Sequence, residues 1–182
     1  CGQVAILHNG IDLDVFRYCT EQRDAIRREL GVGIDSKLIG HIGRFDEQKN
    51  HMFLLEIFYK IQKAVPDTKL MLVGKGKLED LIRQRAHELG IVDKIIFAGI
   101  RSDIPYLLSA MDVFVFPSLY EGMPNTVIEA QATGLPCVIA DTITSEANIT
   151  GLVHYLPLGE TEVWAEKVLS VIKSLPPEQE IP

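Results

Sequence analysis

Cysteine is scarce in this sequence. Cys1, Cys19 and Cys137 are odd in number and show no CxxC spacing. Neither a disulfide framework nor a thiolate zinc site is indicated, and a reducing, cytoplasmic compartment suits the chain. His8, His41, His51, His87 and His154 are scattered without HExxH or a comparable ligand pair, so no metal site is expected. Long hydrophobic runs are missing as well. None approaches the ~20 residues that span a bilayer, and no signal peptide is recognisable. Positive charge is in deficit: a net charge of −7 excludes nucleic acid or an acidic membrane surface as a bulk electrostatic partner, and leaves any phosphate to a few local cations. No Ser-His-Asp or Cys-His arrangement marks a nucleophile, and there is no repeat or low-complexity stretch.

What is present is an ordinary globular composition. Over 182 residues, 47% are apolar and 24% charged, enough for one well-packed domain and short for two. Short apolar runs predict strands over 37–43, 70–73, 94–97, 113–116, 137–140 and 152–155. Between them lie amphipathic stretches predicting helices over 50–64, 78–89, 104–110, 126–132 and 161–175, with a charged helix over 20–30 ahead of the sheet. The 50–64 stretch carries Phe53, Leu54, Ile57, Phe58 and Ile61 on one stripe. Strands that read as unbroken apolar runs are buried on both faces, as in a parallel sheet. Alternation with helices then gives an α/β, Rossmann-like, doubly wound parallel sheet, whose ligands sit at the carboxyl ends of the strands. Residues 1–36 form an opening segment with the charged helix, 37–175 the α/β domain, and 176–182 a tail or linker. The absence of an initiator Met and the Pro-rich end suggest a piece of a longer protein.

Glu121 and Glu129, eight positions apart, frame the most informative run, Glu121-Gly122-Met123-Pro124-Asn125-Thr126-Val127-Ile128-Glu129. Glutamates at such spacing are commonly solvated surface charge. Here a strand ending in Pro117-Ser118 precedes them, and a helix stopped by Gly134 and Pro136 follows. One carboxylate thus lies in the loop off a strand and the other in the helix's first turns, with helix N-terminal amides between them. Amides there suit phosphate and carboxylates suit sugar hydroxyls, a pairing that fits a sugar phosphate or nucleotide sugar.

Three further strand-to-helix loops carry polar groups. In Gly43-Arg44-Phe45-Asp46-Glu47-Gln48-Lys49-Asn50, Gly43 permits a tight turn, Arg44 offers a planar fork for phosphate, and Lys49 adds a point charge. A cation at a helix start opposes the dipole, so Lys49 is poorly placed for stability. The alternative for Arg44 is a solvated pair with Asp46 or Glu47. Val73-Gly74-Lys75-Gly76-Lys77 is not a P-loop and lacks the third glycine of a dinucleotide fingerprint, so it reads as a tight turn that a ligand could pass. Phe97-Ala98-Gly99-Ile100-Arg101-Ser102-Asp103 exposes backbone for a base edge, although a helix cap at Ser102 or Asp103 also accounts for it.

Together these segments resemble the retaining glycosyltransferases of family 4, specifically the carboxyl-terminal domain of their two-domain GT-B fold. The resemblance rests on His8-Asn9-Gly10-Ile11-Asp12, Gly43-Arg44 with Lys49, Val73-Gly74-Lys75-Gly76, Phe97-Ala98-Gly99, Pro117-Ser118 with Glu121, and Glu129-Ala130 with Gly134-Leu135-Pro136-Cys137-Val138. It covers nearly the whole chain and is similar to bacterial enzymes of capsular or exopolysaccharide synthesis. It implies transfer of a hexose-type sugar from a nucleoside diphosphate sugar, UDP-linked, to a glycan or lipid-linked acceptor, without a cofactor or metal. Arg44 and Lys49 would hold the diphosphate and assist its departure, Glu121 would meet the donor sugar, and Glu129 the ribose. Gly43, Gly76, Gly122, Met123, Asn125 and Thr126 would line the donor, with Gly99 and Ile100 at the base. Same-face attack in retention would explain the missing nucleophile. The acceptor would be shaped by an amino-terminal domain not in this sequence, which would also make any contact with the inner membrane face. Many relatives have Phe-Gly where this chain has Met123-Pro124, which removes one amide. The alternatives are a non-catalytic sugar-nucleotide-binding module or a GT-B epimerase or phosphorylase relative.

Overall fold

The computed structural model describes residues 11–175. Cys1, the His8-Asn9-Gly10 part of the opening motif, and the tail 176–182 lie outside the described residues. Six strands form one parallel sheet: β1 (Lys37–Ile42), β2 (Thr68–Val73), β3 (Ile95–Gly99), β4 (Val113–Phe116), β5 (Cys137–Ala140) and β6 (Val153–Leu156). They lie in the order β3-β2-β1-β4-β5-β6, and every neighbouring pair is parallel. Six helices flank them: α1 (Thr20–Glu29), α2 (His51–Ala64), α3 (Glu79–Glu88), α4 (Ile104–Ala110), α5 (Asn125–Ala132) and α6 (Thr161–Ser174). The expected doubly wound α/β sheet is therefore present.

The two helix layers follow from which side chains need cover. Val113 to Phe116 are fully buried, as a central strand sandwiched on both faces must be. On one face α2 packs against α3 and α6, and on the other α4 packs against α1 and α5. The α2 stripe of Leu54, Ile57, Phe58 and Ile61 is buried, each such side chain contributing roughly 1.5–3 kcal/mol by leaving water. Trp164 of α6 is fully buried and meets Phe53 edge-on at 5.7 Å. Among the described residues, no helix is long and apolar enough to cross a membrane.

Several boundaries differ from the sequence reading for local reasons. β3 begins after Lys94, which lies in a 3-10 turn over Val92–Lys94, and runs on to Gly99. A register shift between Leu72 and Val73 pairs Val73 with Gly99, and the Gly74 amide donates to the Gly99 carbonyl at 2.8 Å. That bulge carries the strand two residues beyond Phe97. Asn50, at φ 53, is the positive-φ non-glycine of the described residues. Asparagine tolerates this left-handed region, and the sharp turn there launches α2 at His51.

The charged helix α1 turns inward. Arg23 and Arg27 are buried and converge on Asp112, with Arg23 Nη2 at 2.7 Å from Oδ1 and Arg27 Nη1 at 3.3 Å from Oδ2. Arg23 Nη1 also donates to the carbonyls of Ser109, Ala110 and Met111. These are the carbonyls a helix C-terminus leaves without intrahelical partners. Asp112 Oδ2 in turn accepts from the Leu38 amide at 2.6 Å. One buried ionic cluster thereby ties α1 to the α4–β4 corner and to β1.

Candidate functional site

The strand order reverses between β1 and β4, and the helices that follow them leave for opposite faces. A crevice opens at such a switch point. β1 and β4 are in register only at Ile39–Val113 and Gly40–Phe114. Farther up, His41 Nδ1 donates to the Val115 carbonyl at 2.9 Å. The β1–α2 and β4–α5 loops then face each other across the opening.

Lys49 and Glu121 meet there. Lys49 Nζ lies 2.6 Å from Glu121 Oε1, with the two side chains 17% and 11% exposed. The ammonium also sits 4.6 Å above the centre of the Phe116 ring, a favourable cation–π placement. Ser118 Oγ is within reach of both Glu121 Oε1 and the Gln48 carbonyl; its one hydrogen serves either. The sequence reading left Lys49 opposing the helix dipole at a cost. The structure corrects this: Lys49 belongs to the 3-10 turn Glu47–Lys49 ahead of α2, and Glu121 offsets its charge.

Arg44 is placed differently. Its side chain is 76% exposed and pairs through Nε with Asp46 Oδ2 at 3.1 Å, the solvated pairing that the sequence left open. A pair so exposed contributes little to stability, so the guanidinium can turn to another anion at small cost. Asp46 also accepts from the Lys49 amide at 3.4 Å, capping the turn. A cleft of about 450 Å³ is lined by Arg44, Gln48, Lys77 and Tyr120 among others. Lys77, which the sequence did not single out, pairs there with Glu47 at 3.0 Å. A second cavity, about 330 Å³, lies at the opposite end of the sheet beside Lys37, Met111 and Pro136, away from all these groups.

The glycines of the second loop serve chain packing. Gly74 has φ +134, and a Cβ there would lie 2.0 Å from the Gly43 carbonyl oxygen; at Gly76 it would lie 2.3 Å from that of Phe45. The Phe45 amide donates to the Lys75 carbonyl at 3.0 Å and the Leu78 amide to that of Phe45 at 3.1 Å. A tight turn pressed against the first loop is what these glycines provide. Gly43 itself carries the Lys49 side chain, whose methylenes would lie 3.1 Å from an added Cβ.

Beyond β3, Gly99 has φ +69 and Ile100 is 78% exposed. The expected side-chain cap of α4 is absent: Asp103 occupies the cap position without a capping bond. Its carboxylate is taken by Arg101, with Nη2 at 2.6 Å from Oδ2, and Arg101 Nη1 reaches Glu29 Oε1 at 2.6 Å. The same guanidinium holds the Asp103 carboxyl below its ordinary range.

On the far side, α5 begins at Asn125 after Pro124, which supplies no side-chain cap. Gly122 and Asn125 are exposed, Thr126 is half-buried, and Met123 packs against the core. Glu129 is half-buried too, and burial alone pushes its carboxyl up from the ordinary value. No hydrogen bond or ion pair to its carboxylate occurs among the described residues. The two glutamates that frame the motif thus differ sharply: Glu121 is paired and Glu129 is not.

A buried histidine pair, not anticipated from the sequence, underlies the crevice. His41 and His51 stack edge to face at 4.8 Å and are 0% and 2% exposed. Burial pulls His41 well below its ordinary value, helped by His51. Burial likewise takes His51 down to about 4. Both rings are neutral near pH 7. Scattered single histidines give no sequence signal for such a pair. Among the described residues, no group of three or more His, Cys, Asp or Glu side chains could hold a metal ion.

The family described as glycosyl transferases group 1 matches residues 36–174. The chain is 38% identical over 180 residues to the putative glycosyltransferase EpsF of Bacillus subtilis (strain 168), covering 98% of this chain and 47% of EpsF. It is 35% identical over 142 residues to the UDP-Gal:alpha-D-GlcNAc-diphosphoundecaprenol alpha-1,3-galactosyltransferase of Escherichia coli, covering 76% of this chain and 37% of the relative. It spans about half or less of the length of these curated relatives. Among solved structures, Anabaena Alr3699/HepE in complex with UDP and glucose superposes with a TM-score of 0.84 at 23% identity, over 93% of this chain and 47% of that one. The C-terminal domain of the group 1 glycosyltransferase LpcC from Francisella tularensis superposes with a TM-score of 0.73 at 22% identity, over 91% of this chain and 89% of that domain. At such identities the likeness establishes the fold alone, the Rossmann-like carboxyl-terminal half of a GT-B fold.

Proposed function

The chain belongs to the group 1 glycosyltransferases, and from that footing we propose that its β1–β4 crevice binds a nucleoside diphosphate sugar, as the donor half of a two-domain retaining hexosyltransferase. The observation that carries the reading is the 2.6 Å approach of Lys49 to Glu121. It brings a cation suited to a diphosphate beside a carboxylate suited to sugar hydroxyls, at the mouth of the switch point where α/β sheets bind ligands.

In this reading Arg44 swings from Asp46 onto the diphosphate and Lys49 shares the charge from below. Both then stabilise the nucleotide as it departs, a preorganised electrostatic role. They take on the charge that a metal ion would otherwise carry. Glu121, steadied by Ser118, receives the sugar hydroxyls. The unpaired Glu129 takes the ribose hydroxyls, and the amides of Gly122, Met123, Asn125 and Thr126 lie along the phosphates and sugar. Gly43, which seats the Lys49 side chain, and Gly76, packed on Phe45, lie along the donor by their backbone, and Gly99 with Ile100 meets the base. No group is assigned as nucleophile; the acceptor attacks on the face the leaving group vacates. A facing domain brings the acceptor, a glycan or lipid-linked sugar of polysaccharide synthesis, and makes any membrane contact on the cytoplasmic side. The E. coli relative's name supports a UDP-linked donor and a lipid-linked acceptor.

A thermal-shift screen of UDP-, GDP- and ADP-sugars tests the proposal, since a ligand that binds only the folded chain raises its melting temperature. The expected result is stabilisation by a UDP-sugar above the others. No shift with any of the three overturns the reading.

A further inference from the structure

The crevice has a part that the donor reading leaves unused. β1 and β4 stop pairing after Gly40 and Phe114, so the ladder does not hold their loops together. Beside the Lys49–Glu121 pair, Gln48 joins them through both its backbone and its side chain. The Gln48 carbonyl accepts from the Leu119 amide at 2.8 Å and lies 2.9 Å from Ser118 Oγ. The Gln48 side-chain Nε2 donates to the Tyr120 carbonyl at 2.8 Å. The next residue along each chain segment then supplies the 2.6 Å contact of Lys49 with Glu121. Thr142 Oγ1 anchors the same stretch from the β5 side by donating to the Ser118 carbonyl at 3.1 Å.

We propose that Gln48 is a positioning residue, strapping the β1–α2 loop to the β4–α5 loop and so setting the distance between phosphate-facing cations and sugar-facing carboxylate; this rests on the nucleotide-sugar reading above. The physical need is plain. Polar groups on two independent loops keep sub-ångström register only if something rigid couples them, and small misplacements at a reacting centre are costly. Gln48 fits because its amide donates while its own carbonyl accepts, so one residue grips the opposing backbone at successive positions. Glutamate in its place could not donate to Tyr120, and asparagine would be one methylene short.

Gln48→Met preserves length and bulk but removes the donor. In unliganded protein, amide hydrogen exchange at Leu119 is expected to quicken about 10-fold, as loss of one such bond allows, while amides of Leu70 to Leu72 in β2 keep their protection. If β2 loosens as well, Gln48→Lys, which restores a donor, decides: protection at Leu119 returns if the strap is real. Calorimetry with UDP-glucose should show a loss of about 3- to 10-fold for Gln48→Met. Little further loss is expected when Glu121→Gln is already present, because residues acting through one contact are not additive. A purely structural role would not produce that coupling. Unchanged exchange at Leu119, or losses that simply multiply, overturn the assignment. If the wild-type protein takes up no UDP-glucose, the nucleotide-sugar reading has failed, and exchange at Leu119 still decides the strap by itself.

Discussion

The ammonium of Lys49 rests 2.6 Å from the carboxylate of Glu121, so in the unliganded fold the cation assigned to phosphate is neutralised by the carboxylate assigned to sugar. A diphosphate entering the crevice competes with Glu121 for Lys49. Glu121→Gln should therefore tighten UDP by about 2- to 5-fold, the equivalent of roughly 0.4–1 kcal/mol. It should also abolish any advantage of UDP-glucose over UDP. Calorimetry with both ligands measures this, and weaker UDP binding by the variant would contradict it.

Glu129 should show a trade between stability and binding. Its carboxyl is raised by burial, so the folded chain holds that proton more tightly than the unfolded chain does. The group therefore adds stability below its unfolded value and loses it as pH rises through the folded one. At pH 7 the ionised Glu129 is a burden, and Glu129→Gln should raise the melting temperature by roughly 1–2 °C. The gain should vanish near pH 4. UDP affinity should fall at the same time, by about 5- to 30-fold if the ribose bonds are charge-assisted. A destabilised variant that binds UDP normally would remove Glu129 from the site.

The histidine pair predicts acid sensitivity of the opposite sign. Burial depresses both rings, His51 to about 4, so the unfolded state binds protons first as pH falls. Their stability contribution is complete above the unfolded value near 6.5 and is lost as pH falls below it, in the case of His51 down to about 4. Urea midpoints at pH 7, 6 and 5 should decline in the wild type and decline less in His51→Phe, which packs on Phe45 without titrating. Parallel declines would show that other groups set the acid limit.

Asp112→Ala leaves Arg23 and Arg27 buried without their shared carboxylate and should cost about 3–5 kcal/mol in denaturant unfolding. Lys77→Ala, which breaks an exposed pair with Glu47, should stay within about 0.5 kcal/mol. Equal effects of the two substitutions would mean that α1 is not locked as described.

The sheet was legible in the sequence because its strands are unbroken apolar runs and most of its helices stop shortly before Gly or Pro. Gly134 closes α5 at φ +75, a conformation that residue type constrains directly. What escaped were contacts between distant segments. Lys49 and Glu121 are separated by 72 positions, and only the strand order brings them together. The inward turn of Arg23 and Arg27 was hidden because a charged helix normally faces water, and nothing local names Asp112 as their partner. The reach of β3 to Gly99 depends on a bulge in register with β2, which no pattern within 94–99 encodes.

The most direct measurement is UDP binding by calorimetry, in buffer containing EDTA, to the wild-type chain, Arg44→Ala and Lys49→Ala. The wild type should bind UDP without added metal. Arg44→Ala should weaken it by about 10- to 100-fold, as loss of a charged hydrogen bond does. Lys49→Ala should weaken it further, because Glu121 is then left as an unpaired negative charge facing the diphosphate. Undiminished binding in both variants, or binding that appears only with Mg²⁺ or Mn²⁺, would contradict a nucleotide-sugar site built on these two cations.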